Sequence, residues 1–281
     1  MDLAKVARIA IAYDEPIAAL SNEEGGAQRI SNALPDLYSI PGILGFASAI
    51  SDYTRVRLDD GGQALLSSRH LVPEVTICDP TLTLGACARE TACAAAGVLA
   101  RGIDAYLAPG YNPPADGLAL DALSRVADNI GKVIEEDDLP ARREMMAAGL
   151  NSSMALQKGL CVVHAISNAV AAVSTAPMDP SALGGVLIPR LVEFYGARTN
   201  GRTARIQRSL GFDEARSLPD DLLRFVETLP LASTLSELGV QEDDLARAAD
   251  LAVLDRAIGN GPRSVDASDI HGILTHAHST H

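Results

Sequence analysis

This chain has no tryptophan, and aromatic residues make up only 4% of it. It therefore offers no stacking platform for a nucleobase or another planar ring. Basic residues are also scarce, 23 Lys and Arg against 36 Asp and Glu, for a formal charge of −13. Nucleic-acid phosphates need a basic surface, so a nucleic-acid partner is excluded, and an anionic membrane surface would repel the chain. No uninterrupted apolar run approaches a membrane span. The opening Met1-Asp2-Leu3-Ala4-Lys5 lacks the shape of a signal peptide. None of the four cysteines, Cys78, Cys87, Cys93 and Cys161, belongs to a CxxC pair, and each sits among apolar neighbours. The cysteines are expected to be buried free thiols. Together these absences lead us to expect a cytoplasmic location.

What is present is ordinary globular chemistry: 281 residues, 47% hydrophobic and 21% charged. That length allows one large core or two modest ones. Ala and Leu far exceed the aromatics, which favours packed helices over sheet. Leu3, Val6, Ala7, Ala10 and Ile11 share one face of a predicted helix over 3–13. Leu37–Ile40 reads as a short buried strand stopped by Pro41. Thr54–Leu58 alternates and runs into Asp59-Asp60-Gly61-Gly62, a turn signal that makes it a hairpin arm. Val75–Ile77 is another short strand.

After Pro80 only helices are predicted: 86–107, a second with Ala119, Leu123, Val126, Ile130 and Val133 on one face, one or two over 141–173, then 183–195, 222–229, 243–258 and 269–276. Ser268 or Asp266 is the candidate cap of the last. The acidic run Glu135–Asp138 reads as a solvated helix end, and the His-containing tail from His276 to His281 as disordered. Strands first and helices after imply a small α/β part, residues 1–82, followed by an all-α helical domain, 83–281.

The segment from Leu71 to Thr83, with Asp79-Pro80-Thr81-Leu82-Thr83 at its end, resembles the domain junction of the iron-containing alcohol dehydrogenase superfamily. Further matches follow in order: Thr91-Ala92, Asn112-Pro113, Ala141-Arg142 with Met145, Leu160 to His164, and Ile188-Pro189. Leu235–Val240, Asp243–Leu245 and Asn260-Gly261-Pro262-Arg263 are similar to the maleylacetate reductase branch. The resemblance implies a dehydroquinate synthase-like, iron-dependent alcohol dehydrogenase fold. Here the α/β part would be an N-terminally truncated remnant of a nucleotide-binding domain. Met1–Lys5 resembles the helix that follows the family's glycine-rich phosphate loop, and that loop itself is not in the sequence.

The resemblance also implies a chemistry, hydride transfer between NAD(P) and a carbonyl or alcohol, with a divalent metal polarising the oxygen. Four ligands hold the metal in the family. The Asp and His four residues apart fall on Gly97 and Arg101 here, the third survives as His164, and the fourth falls near Met178–Pro180, where Asp179 is the only donor. One imidazole and one carboxylate cannot hold iron or zinc tightly, so no bound metal is expected. The phosphate-contacting hydroxyls are replaced by Gly42 and Ile43. Gly45 and Ser48 are the remaining cofactor-binding candidates, and the histidine near the nicotinamide becomes Asn168. No cofactor is expected, although NAD(P) stays open.

Three functional readings follow. The first is a binding or partner subunit without redox activity. The second is a repurposed metal-free enzyme using His164, Arg101 and Asp179, with Arg101 standing as a fixed cation for a small anionic ligand and Asp104 or Asp179 as its counter-charge. The third is an NAD(P)-dependent oxidoreductase completed by another chain. An exposed sheet edge implies pairing with a second copy, or with a paralogous subunit.

Overall fold

A computed structural model describes residues 1–31, 34–42, 47–58, 63–175 and 178–279. Contacts divide the described chain into two compact units, Met1–Leu82 and Thr83 onward.

The first unit begins with α1 (Asp2–Ala12), followed by β1 (Tyr38–Ser39), β2 (Tyr53–Arg57), β3 (Gln63–Ser67) and β4 (Val75–Thr76). β2 and β3 form the antiparallel hairpin expected from their alternation; its turn residues 59–62 lie outside the described residues. β1 and β4 pair in parallel as a separate two-stranded sheet. A small core of Val6, Ile9, Leu20, Ile30, Leu66 and Leu71 fills the unit.

The buried face of α1 differs from the expected one. Lys5, Val6, Arg8 and Ile9 point inward, whereas Leu3 and Ile11 are 79% and 74% exposed, and Ala7 and Ala10 are exposed too. The reason is hydrogen bonding. The Lys5 ammonium donates to the Ser51 and Tyr53 carbonyl oxygens at 2.5 and 2.9 Å and to Ser51 Oγ at 3.0 Å. Burial pulls the Lys5 pKa down to about 8, with Asp2 and Asp52 acting the other way. Arg8 donates to the carbonyls of Pro35 and His70 and pairs with Glu74 at 3.2 Å. Cations whose protons meet fixed acceptors can be buried where isolated ones cannot, so apolar periodicity alone chose the wrong face.

The second unit is helical: α2 (Ala88–Leu107), α3 (Pro113–Glu136), α4 (Leu139–Met154), α5 (Val162–Val173), α6 (Pro180–Tyr195), α7 (Thr203–Leu210), α8 (Leu218–Glu227), α9 (Leu245–Ala252) and α10 (Ala267–His278). α2 is the hub. Every residue from Thr91 to Leu107 is buried, and the helix packs against α3, α4, α5 and α6. Such burial all round requires small apolar residues on every face, which its run of alanines supplies. Cys87 caps its start in a capping box with Glu90. Asn112 caps α3, which buries the expected face. Gly159, at φ 118°, ends the turn Ala155–Lys158 and separates α4 from α5, so the stretch 141–173 is two helices.

Several expectations need correction. Cys78 and Cys87 are exposed; only Cys93 and Cys161 are buried, because Cys87 is spent on a helix cap. The predicted helix over 243–258 is broken into a 3-10 turn at Glu242–Asp244, α9, and a second turn at Arg256–Asn260 that the Asp255 carboxylate caps. The acidic run is not merely solvated: Asp137 adopts φ 52° and accepts from Arg142 and the Gly85 amide, while Asp138 caps α4. Asp266 caps α10 through a capping box with Asp269. His276 and His278 belong to that helix, where His278 bonds the Val240 carbonyl at 3.0 Å and His276 pairs with Glu193 at 3.5 Å. Residues 280–281 lie outside the described residues. Helix α7 was not foreseen.

One buried carboxylate positions the start of α5. Asp104, on α2, accepts from the Val163 amide at 2.7 Å and from the Tyr195 hydroxyl at 3.0 Å. The N-cap residue of α5, Cys161, gives no side-chain cap. Asp104 is therefore a cap supplied from another helix, and it ties α2 to the start of α5 and the end of α6. Burial raises its pKa to about 6, against the opposing pull of the Val163, Tyr195 and Val162 hydrogen bonds.

The raised pKa sets a pH test. The folded chain takes up the Asp104 proton near pH 6 and the unfolded chain near 4, so this carboxylate adds stability as pH falls from about 7 to about 4. Urea unfolding should show wild type gaining on Asp104→Asn across that window by on the order of 2 kcal/mol. Parallel pH profiles would rule out the assignment. Asp104→Ala should cost about 1–3 kcal/mol at neutral pH by stranding a buried amide and hydroxyl, and more as pH falls.

Candidate functional site

Residues 97 and 101 lie one turn apart on α2 and so share a face. Both are buried. Gly97 presents only its α-hydrogens. A Cβ placed there would lie 2.8 Å from both Cβ and Oγ of Ser181, near the start of α6, and 3.2 Å from Nη1 of Arg101. The Arg101 side chain thus folds back along α2 toward its N-terminus, as long helical side chains do, and its guanidinium lies against the turn that carries Gly97. Arg101 is only 9% exposed; it does not reach out to bulk water.

The close contact at Gly97 is one of a row. A Cβ at Gly184 would meet Ala100 Cβ at 3.0 Å, and one at Gly185 would meet Ala96 Cβ at 2.8 Å. Small residues on α2 thus face small residues on α6, and the two backbones come close. Ser181 was not singled out from the sequence. The signal was there in the matched spacing of Ser181, Gly184 and Gly185 against Ala96, Gly97 and Ala100, but pairing one stripe with the other requires the tertiary structure.

Asp179 is exposed and serves as the N-cap of α6, accepting from the Ser181 amide at 2.8 Å. Its negative charge also raises the pKa of the Cys93 thiol, second to burial itself. His164 is half-buried in the first turn of α5, its amide donating to the Cys161 carbonyl at 3.1 Å. Asn168 follows one turn later, and its Nδ2 is buried without a hydrogen-bond acceptor among the described residues. The Cys161 thiol donates to the Arg101 carbonyl at 3.8 Å. Its pKa is pushed well up by burial and by the charge of Asp104, against the pull of Arg101 and Lys158.

The structure therefore brings Gly97, Arg101 and Ser181 into contact, with Asp179 capping the helix that bears Ser181. Asp104, a candidate counter-charge for Arg101, has its oxygens on Val163 and Tyr195. In the first unit, Ser48 lies in a 3-10 turn, Ala47–Ala49, and is half-buried; Gly45 lies outside the described residues.

The residues at these positions do not fit a divalent metal. Among the described residues no group of three or more His, Cys, Asp or Glu side chains could hold one. Gly97 has no donor and no room for one, and the nearest charged group is a guanidinium, which repels a cation.

Residues 91–278 match the model of the Fe-containing alcohol dehydrogenase family, C-terminal domain. A 4-hydroxybutyrate dehydrogenase of Cupriavidus necator is 32% identical over 98% of this chain and 74% of its own length. The crystal structure of a 1,3-propanediol oxidoreductase superposes with a TM-score of 0.91 at 23% identity, covering 98% of this chain and 74% of that one. A maleylacetate reductase from Agrobacterium tumefaciens superposes with a TM-score of 0.76 at 21% identity, over 92% of this chain and 71% of its own. At such identities the structural likeness is one of fold: an α/β unit followed by a helical domain. On the strength of the family match and the 32% relative, the chain belongs to the iron-containing alcohol dehydrogenase family.

Proposed function

We propose that this family member does not carry out metal-assisted hydride transfer and acts as a binding or partner subunit. The carrying observation is the contact at Gly97. Where the family resemblance calls for a carboxylate, the chain has only hydrogen, and even a Cβ there would meet Ser181 at 2.8 Å and the Arg101 guanidinium at 3.2 Å. A permanent buried cation does not replace a Lewis acid with exchangeable ligand positions, but it can hold a small anionic ligand. A partner role is supported by the first unit, where Leu3 and Ile11 on α1 and Tyr38, Ile40, Val75 and Ile77 along the β1–β4 pair are exposed. A second copy or a paralogous subunit covering these side chains would remove them from water. The charge of −13 keeps nucleic acid and anionic membranes out of the candidate partners. Among the described residues no single helix is long and apolar enough to cross a membrane.

A second reading is favoured by one observation. The chain spans about three quarters of the length of its dehydrogenase relative, 74%, and the parallel pair β1–β4 has no further strand beside it among the described residues. Additional polypeptide could complete a nucleotide-binding sheet and with it an NAD(P)-dependent oxidoreductase.

Metal analysis after incubation with Fe2+ or Zn2+, together with NADH and NADPH fluorescence titration, separates the two readings. The first expects metal well below one equivalent and no saturable quenching or enhancement. Stoichiometric iron or zinc lost in a His164→Ala variant would overturn it. Nucleotide binding by the protein, alone or with a copurifying partner, would favour the second.

The packing claim has its own test. Gly97→Ala should destabilise the protein by about 1–3 kcal/mol through overpacking, and Ser181→Gly should rescue it with a coupling of about 1 kcal/mol or more in a double-mutant cycle. Simple additivity would mean that Ser181 does not close the space.

A further inference from the structure

Away from Gly97 and Arg101, the C-terminal end of α2, the first turn of α3 and the start of α7 border an open surface cavity of about 360 Å3. It is lined by Tyr106, Asp116, Asn200, Gly201, Arg202 and Arg205. In a chain of strong negative charge this corner is cationic. Asp116 is the single carboxylate in the lining, and it is already shared: Oδ1 meets Lys158 Nζ at 2.8 Å and Oδ2 meets Arg202 Nη2 at 2.8 Å. Arg205 is exposed and forms no ion pair among the described residues. Lys158, Arg202 and Arg205 against Asp116 leave two positive charges in excess.

Several hydrogen-bond donors here lack acceptors. Tyr106 is only 3% exposed as a residue and lines the cavity; its hydroxyl is not among the fully buried polar atoms and makes no hydrogen bond among the described residues. Arg202 Nε is buried and likewise without an acceptor, while its guanidinium carbon sits 4.2 Å over the Tyr106 ring. Stacked on the ring and paired through Nη2, that guanidinium is held in place. The N-cap position of α7 is Arg202 itself, and no side chain caps the helix; the Arg205 amide donates to the Arg202 carbonyl at 3.2 Å, which leaves the Thr203 and Ala204 amides of the first turn. A buried donor without an acceptor, as Arg202 Nε is, is rare in native structures and asks for an explanation. A group that brings several acceptor oxygens and negative charge would satisfy these donors together.

We propose that this cavity is a binding site for a small oxyanion, a phosphate group or a short dicarboxylate. Arg205 and Arg202 supply charge, the Tyr106 hydroxyl donates one hydrogen bond, and the first turn of α7 supplies backbone amides. Asp116 and Lys158 hold the arginine side of the site and are not ligands. The site uses none of Gly97, Arg101, His164 or Asp179, so it stands or falls independently of the reading given above.

Thermal unfolding and isothermal titration with inorganic phosphate and with succinate test it, against sodium chloride of equal ionic strength. Wild type should show saturable binding and a rising midpoint with at least one of the two anions. The anion that binds more tightly tells a phosphate site from a carboxylate site. Arg205→Gln should weaken that binding about tenfold, the equivalent of 1.4 kcal/mol, and Tyr106→Phe about threefold. Neither change removes a contact that holds the fold, and unchanged midpoints in chloride would verify that both variants are intact. Absence of saturable binding to either anion in wild type would overturn the proposal, as would binding unaltered by both substitutions.

Discussion

The close approach of α2 and α6 governs the helical unit. Three contacts set it: Gly97 with Ser181, Ala100 with Gly184, and Ala96 with Gly185. Each pairs a residue with no side chain, or almost none, against another. Helices ordinarily pack with axes 8–10 Å apart, and the near end of that range needs small residues at the crossing. A protein interior closes around what is there rather than leaving a void. With no carboxylate at residue 97, Ser181 and the Arg101 guanidinium take the volume, and α6 rests on α2 through Cβ atoms. The metal question is in this sense a packing question: a ligand set could return only if the helices also moved apart.

Three buried charged groups of this unit, Asp104, Arg142 and Lys158, have structural partners. Asp104 caps α5 from a distance and anchors Tyr195. Arg142 joins Asp137 across the turn between α3 and α4, and Lys158, wholly buried, spans Asp116 and the Tyr106 carbonyl. Removing one partner of such a pair leaves a charge or a donor stranded in low dielectric, at a cost larger than the pair contributes when intact. These groups therefore fix helix ends in place, and the family's fold persists on them whatever chemistry the chain performs. Fold and activity are separable for that reason.

Local signals in the sequence were legible where local physics decides. The apolar stripe from Ala119 to Val133 gave the inner face of α3, the alternation at Thr54–Leu58 gave the hairpin, and the cap of α10 was narrowed to Ser268 or Asp266, of which Asp266 is the one used. Gly97 and Arg101 could be set on one turn because helical spacing needs no tertiary information. Tertiary hydrogen bonds were not legible. Nothing local distinguishes Lys5 and Arg8 from solvent-facing cations, yet carbonyls 27 to 62 residues away bury them. Asp104 read as a counter-charge because its true partner, the Val163 amide, is distant in sequence. Ser181 was passed over because its importance lies in what faces it.

The first unit carries a further consequence of the same kind. Two parallel strands of two residues each, Tyr38–Ser39 and Val75–Thr76, make a sheet far below the size that is stable alone. Parallel sheets are ordinarily covered on both faces, but here Tyr38 and Val75 are exposed, as are Ile40 and Ile77 just beyond the strands. α1 adds Leu3, Ala7, Ala10 and Ile11 as an uncovered stripe, because the cations of its opposite face are the ones that found partners inside. Helix and strands therefore display apolar surface for a common reason: the unit's own core is satisfied without them. Such surface is costly in water and templates association. The burial of Lys5 and Arg8 thus fixes which side of α1 faces inward, and leaves its apolar side available to whatever further polypeptide this unit meets.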